Sequence, residues 1–346
     1  MLPRPLDDDE THPWQVLHPP VQCHDSGWLE VGDGHEIYWE SCGHPGAPVA
    51  LFLHGGPGAG CTADDRRWFD AQRWRVVLFD QRGAGRSRVL GGADPLHANT
   101  TPHLLADIEA LRQHLGVGRW LLFGGSWGAT LALAYAEAHP QRVSGLVLRG
   151  VFLATQAERC WLYGRQGAAR AHPAAWQRLW EGAGAPDGPR LRDAMHERLQ
   201  DPAHAGTAAA AWWRWEQDLM AIETSDPTPH RVPDDAARLL SAARIGVHYA
   251  RHGWFLREGQ LLDGAGRLRG LPGIIVQGLR DLVTPAPFAR ALARAWPDAR
   301  LCEVAAAGHA SSHPAIARKL IAATAEMAAP EETPDDRPHP RRSAHA

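Results

Sequence analysis

The chain has 346 residues, 44% hydrophobic and 22% charged, a balance that supports a large buried core in one or two domains and excludes a fibrous or wholly disordered chain. Its formal net charge of −3 offers no basic field for nucleic acid and no polybasic run for an anionic membrane, so small-molecule partners are expected. Five scattered cysteines without a C-x-x-C pair, no metal-ligand spacing among 20 histidines and an acidic N-terminus without an apolar signal core point to a cytoplasmic protein with no metal or cofactor.

In chain order, short segments at 28–31 and 36–39 flank Gly-Asp-Gly and read as an antiparallel hairpin at a sheet edge. Apolar runs at 50–53, 76–79, 120–123 and 146–148 then alternate with helical patterns at 102–114 and 126–138. That alternation predicts a mostly parallel sheet with helices on both faces. From about 152 to 258 the strand pattern stops and Ala, Arg, Trp and Glu dominate, which reads as an inserted helical cap. Trp161, Trp176, Trp180, Trp212, Trp213, Trp215 and Trp254 crowd this segment as core packing or pocket walls. The sheet resumes at 273–278 and 300–304, and a helix at 315–327 closes the fold. The core is therefore expected from 1–151 and 259–328. The tail 329–346, with almost no apolar residue, is expected to be disordered.

The chemistry gathers where strands end. Gly124-x-Ser126-x-Gly128, between an apolar strand and a small-residue helix, has the pattern of a nucleophile elbow. A serine nucleophile needs a base and a group that orients the base. Asp281 in Gly-Leu-Arg-Asp and His309 in Ala-Gly-His follow in the order Ser, acid, His, each just past a predicted strand. His313, beside Pro314 at a helix start, is the rival base. Leu53-His-Gly-Gly-Pro-Gly-Ala-Gly60 is a glycine-rich loop with no Gly-Lys-Ser/Thr to make it a phosphate loop. Backbone N–H groups of Gly56, or Gly55, together with Trp127 are expected to face a tetrahedral intermediate, each donor typically contributing ~3 to 4 kcal/mol. The turn Phe79-Asp-Gln-Arg82 is expected to be structural, with Asp80 and Arg82 bracing the floor of the site.

These residues carry a resemblance. His-Gly-Gly-Pro-Gly at 54–58, Asp-Gln-Arg-Gly at 80–83, Gly-Gly-Ser-Trp-Gly at 124–128, Leu148-Arg-Gly, Trp212-Trp-Arg-Trp-Glu216 and Ala307-Gly-His309 resemble the proline iminopeptidase (prolyl aminopeptidase) family of the α/β-hydrolase superfamily. The likeness implies an α/β-hydrolase fold and cofactor-free release of an N-terminal residue, preferentially proline, from short peptides or amino-acid amides and esters. It also implies substrate binding by Glu216, Trp215 and Tyr249. Family members place a second carboxylate in an Ile-Glu-x-His-Tyr motif, whereas Arg244-Ile-Gly-Val-His-Tyr249 has Gly246 there, with Glu223 a candidate to fill the space. That departure keeps a second reading open, a serine esterase, lactonase or amidase acting on a substrate without a free amine.

Overall fold

The computed structural model describes residues 16–92, 94–186, 190–220 and 235–328. The tail from 329 and Glu223 lie outside the described residues.

Strands β1 (Cys23–Glu30) and β2 (His35–Gly43) pair antiparallel. The turn between them runs through Gly32, Asp33 and Gly34, all with positive φ, which glycine adopts freely and aspartate tolerates. The other strands are β3 (Val49–Leu53), β4 (Arg75–Phe79), β5 (Arg88–Val89), β6 (Trp120–Ser126), β7 (Val143–Val151), β8 (Gly273–Gly278) and β9 (Ala299–Val304). They form one sheet in the order β1-β2-β4-β3-β6-β7-β8-β9, with the short β5 paired to β2. From β4 to β9 every neighbouring pair is parallel. The order reverses at β3, whose other neighbour is β6, so the loops leaving these two strands meet at a crevice of the kind where open α/β sheets bind ligands.

Each central strand is apolar on both faces because both are covered. On β6, Leu121 and Phe123 join Trp68, Phe69 and Ile316 in one core, while Leu122 points into the other with Leu131 and Leu148. Helices α1 (Thr101–His114) and α2 (Trp127–Ala138) precede β7. Between β7 and β8 the chain forms α3 (Gln156–Tyr163), α4 (Pro173–Gly182), α5 (Leu191–Gln200), α6 (Ala205–Met220), α7 (Ala236–Arg251) and the short α8 (Gln260–Gly264). Helix α9 (Ala286–Ala295) links β8 to β9, and α10 (Pro314–Met327) ends the described chain. Among the described residues no helix is long and apolar enough to cross a membrane.

The tryptophans of α4 to α7 do two jobs. Trp212 packs inside the helical layer, Trp176 packs edge-on to Trp215 at 5.5 Å and borders one cavity, and Trp215 and Trp254 reach another. Asp80 and Arg82 are tied into the scaffold. Asp80 accepts from Cys61 N and from the backbone and Nε of Arg86. Arg82 forks onto Asp107 of α1 at 2.7 and 2.8 Å and reaches Asp33 in the hairpin turn.

Glu137, near the end of α2, is buried against Gly264, where any Cβ would collide with its carboxylate. Its Oε1 has no hydrogen-bond partner among the described residues, and burial pushes its pKa up to about 8. A folded-state pKa above the unfolded one means that folding takes up a proton, so Glu137 lowers stability as pH rises from about 4.5 through 8. Glu137→Met should remove that slope. Unfolding midpoints in urea are expected to match near pH 5 and to favour the variant at pH 9, by on the order of 2 kcal/mol.

Candidate active site

Ser126 occupies the turn between β6 and α2 with φ 58° and ψ −124°, a conformation costly for any residue with a side chain. The flanking glycines make the turn possible. A Cβ on Gly124 would collide with the backbone of Gly128, and one on Gly128 with the carbonyl of Leu53, so strand, helix and the neighbouring β3 approach at backbone distance. Trp127 starts α2, where the first N–H groups have no intrahelical acceptor.

The loop after β3 lies beside this turn. A Cβ on Gly55 would stand 3.8 Å from Ser126 Cβ, which puts Gly55 as well as Gly56 on the serine's side of the crevice. Gln81 joins the two loops: its backbone N–H donates to His54 Nε2 at 3.0 Å, its side-chain amide donates to the His54 carbonyl at 3.0 Å, and its Oε1 accepts from Trp127 Nε1 at 2.8 Å. Because His54 Nε2 accepts, its proton is on Nδ1, facing the Gly55 carbonyl at 2.9 Å. Burial lowers the pKa of His54 and keeps it neutral.

Asp281 and His309 come together from the loops after β8 and β9. His309 Nδ1 lies 2.8 Å from Asp281 Oδ2, and both side chains are buried. Asp281 also accepts from the N–H groups of Val283 and Thr284, the Thr284 hydroxyl and the Gln277 amide. Although burial opposes ionisation, the neighbouring His309 and these donors hold its pKa below the ordinary value. Burial lowers the pKa of His309, against the pull of Asp281, so the imidazole is neutral near pH 7 with its proton on Nδ1. The ring's acceptor is thus Nε2.

That acceptor is occupied by a residue without a role in the sequence reading. Arg149, at the C-terminal end of β7, places Nη1 2.9 Å from His309 Nε2 and 2.9 Å from the His309 carbonyl. No hydrogen bond joins Ser126 Oγ to His309 among the described residues. The guanidinium lies over Gly125, in space that a Cβ would take. A charged residue just before the end of a central parallel strand was the signal available for it.

Ser126, His309, Trp127, Gly55, Gly56 and Glu216 all line one cavity of about 460 Å³, as does Trp215. Glu216 on α6 is half-buried there, and desolvation pushes its pKa up to about 7 against a hydrogen bond from Trp212. Tyr249 is a correction. It is fully buried beneath the site, edge-on to Trp127 at 4.9 Å, and its hydroxyl donates to Asn99 Oδ1 at 3.0 Å. It supports Trp127 and does not line the cavity. His313 stands at the start of α10 and is likewise absent from the lining. A larger cavity of about 610 Å³ opens behind Tyr163, but it contains none of the three triad candidates. Among the described residues no group of three or more His, Cys, Asp or Glu side chains is arranged to hold a metal ion.

The profile of the α/β hydrolase fold family matches residues 48–314. The proline iminopeptidase of Neisseria meningitidis serogroup B is 43% identical over 305 residues, covering 87% of this chain and 96% of the relative. That of Arabidopsis thaliana is 42% identical over 319 residues, covering 91% and 83%. Among solved structures, a proline iminopeptidase-related protein from Thermus thermophilus superposes with a TM-score of 0.56 at 26% identity, over 88% of this chain and 99% of that one. With a strand-end serine, a buried Asp–His pair and relatives matched along nearly their whole length, this chain belongs to the proline iminopeptidase family of α/β hydrolases.

Proposed function

We propose that the protein is a serine aminopeptidase that releases an N-terminal residue, preferentially proline, from peptides or small amides. Ser126 Oγ attacks the scissile carbonyl, His309 Nε2 takes its proton, and Asp281 fixes the imidazole. Backbone N–H groups of Trp127 and of Gly55 or Gly56 receive the oxyanion. His309 then returns the proton to the leaving amine, and water hydrolyses the acyl-enzyme by the same steps. The observation that carries the substrate assignment is Glu216, a carboxylate on the wall of the cavity that contains Ser126, where a cationic amino terminus finds its counter-charge. Five unpaired cysteines fit a cytoplasmic setting.

Two acid limbs should follow. Glu216 ionises as pH rises through about 7, so capture of an ammonium strengthens over that range. An uncharged ester requires only neutral His309, whose pKa burial places below 6.5. Profiles of kcat/KM should therefore have an acid limb near pH 7 for Pro-β-naphthylamide and a lower one for p-nitrophenyl acetate. Glu216→Gln should raise KM for the amide about tenfold or more and leave the ester unaffected. Coincident limbs, or equal losses on both substrates, would favour the esterase reading.

Arg149 must leave Nε2 before the base can act. Arg149→Met is expected to speed labelling of Ser126 by a small uncharged fluorophosphonate severalfold at pH 7.5. Because the guanidinium lowers the His309 pKa, its removal should also move the acid limb of ester hydrolysis upward. Slower labelling with an unmoved limb would show instead that Arg149 assists the resting triad.

A further inference from the structure

Arg149 lines the same cavity as Ser126 and Glu216, and its place beside His309 says what it can meet there. The imidazole is held. Asp281 takes Nδ1 at 2.8 Å, and the backbone of β7 passes so close that a Cβ on Gly150 would stand 2.8 Å from the ring's Cε1. The guanidinium is the partner free to turn. It ends a long, half-buried side chain over Gly125, one residue from the nucleophile, with Nη1 2.9 Å from His309 Nε2. A neutral imidazole offers it one acceptor, whereas a carboxylate accepts both arms of the fork in charge-assisted bonds about twice as strong.

Release of an amino acid brings a carboxylate to this spot. His309 Nε2 must hand its proton to the leaving nitrogen, which therefore comes to about 3 Å from it. In a leaving amino acid the carboxylate is carried on the carbon next to that nitrogen, so its oxygens lie within about 4 Å of the nitrogen. A guanidinium resting on Nε2 is thus already beside the place that the carboxylate takes. A leaving arylamine or amino-acid amide brings no such charge.

We propose that Arg149 reads the C-terminal carboxylate of a dipeptide, and that this carboxylate draws the guanidinium off His309 Nε2 and frees the base. The preferred substrates are then dipeptides with N-terminal proline and a free carboxylate, ahead of amides, arylamides and longer peptides. The ammonium is taken by Glu216 and the carboxylate by Arg149, on either side of the scissile bond. The contact that blocks the base in the resting enzyme becomes a substrate contact in the complex. This inference rests on the aminopeptidase reading and adds the leaving side of the site to it.

Pro-Gly and Pro-Gly-amide test the selection, because they differ only at the C-terminal group. The constant kcat/KM reports acylation, in which the leaving residue is still attached. It should be about tenfold or more higher for Pro-Gly. Between Pro-Gly-Gly and its amide, where the carboxylate stands roughly 3.5 Å farther out, the advantage should largely vanish. Equal or faster cleavage of Pro-Gly-amide, or an advantage as large in the tripeptides, would overturn the proposal. Arg149→Met should lower the value for Pro-Gly and raise that for Pro-Gly-amide, so that the advantage disappears. An advantage that persists in both Arg149→Met and Arg149→Gln would overturn the part given to Arg149. N-acetyl-Pro-Gly keeps the carboxylate and blocks the amine. If it is cleaved as fast as Pro-Gly, the aminopeptidase reading itself fails; if it is cleaved slowly while Pro-Gly and its amide react equally, only the present inference fails.

Discussion

Ser126→Ala is expected to lower kcat for Pro-β-naphthylamide by about a millionfold, leaving only what the oxyanion donors and bound geometry supply. The variant should fold normally. Alanine keeps the Cβ that the φ 58° turn already tolerates, and the close approaches of Gly124 and Gly128 are untouched. Thermal midpoints of the two proteins should therefore agree closely, and Pro-amide should still bind. Residual turnover within about a hundredfold of the wild type would remove Ser126 from the role of nucleophile.

Asp281→Asn should cost nearly as much, roughly 10³- to 10⁴-fold in kcat. The carboxylate does two things in this fold. It accepts the N–H groups of Val283 and Thr284, which an asparagine carbonyl can continue to do, and it accepts the Nδ1 proton of His309. An amide N–H₂ facing Nδ1 would place the imidazole proton on Nε2, where the ring can no longer take one from serine. The loss should appear in kcat, persist at high pH and spare the thermal midpoint. A small effect would mean that Thr284, whose hydroxyl lies 3.2 Å from His309 Nδ1, suffices to orient the ring.

The parts of the fold and site that were legible in the sequence are those set by local pattern. Apolar runs at β3, β4, β6, β7 and β8 read as strands buried on both faces, and Gly124 and Gly128 report a backbone approach that no side chain allows. Ser126, Asp281 and His309 each follow directly on a strand end, so chain order and turn chemistry were enough to propose them together. What escaped depends on contacts between distant segments. Arg149 reaches His309 across 160 positions, and nothing in Leu148-Arg-Gly says which way the guanidinium turns. Tyr249 was assigned to the pocket by likeness, but its hydroxyl is satisfied by Asn99 of the loop before α1, which draws the ring under the elbow. Gly246 read as a missing carboxylate. In the fold it is room for the indole of Trp212, a relation between α6 and α7 that becomes visible only when the two helices pack.

Ser126 acts on a substrate whose free amine is read by Glu216. The most direct test compares kcat/KM of the wild type for Pro-β-naphthylamide and for N-acetyl-Pro-β-naphthylamide at pH 7.5. Loss of the charge that Glu216 pairs with should lower the value for the blocked substrate by about a hundredfold or more. Equal values for the two would show that Glu216 reads no free amine, whatever serine carries the chemistry.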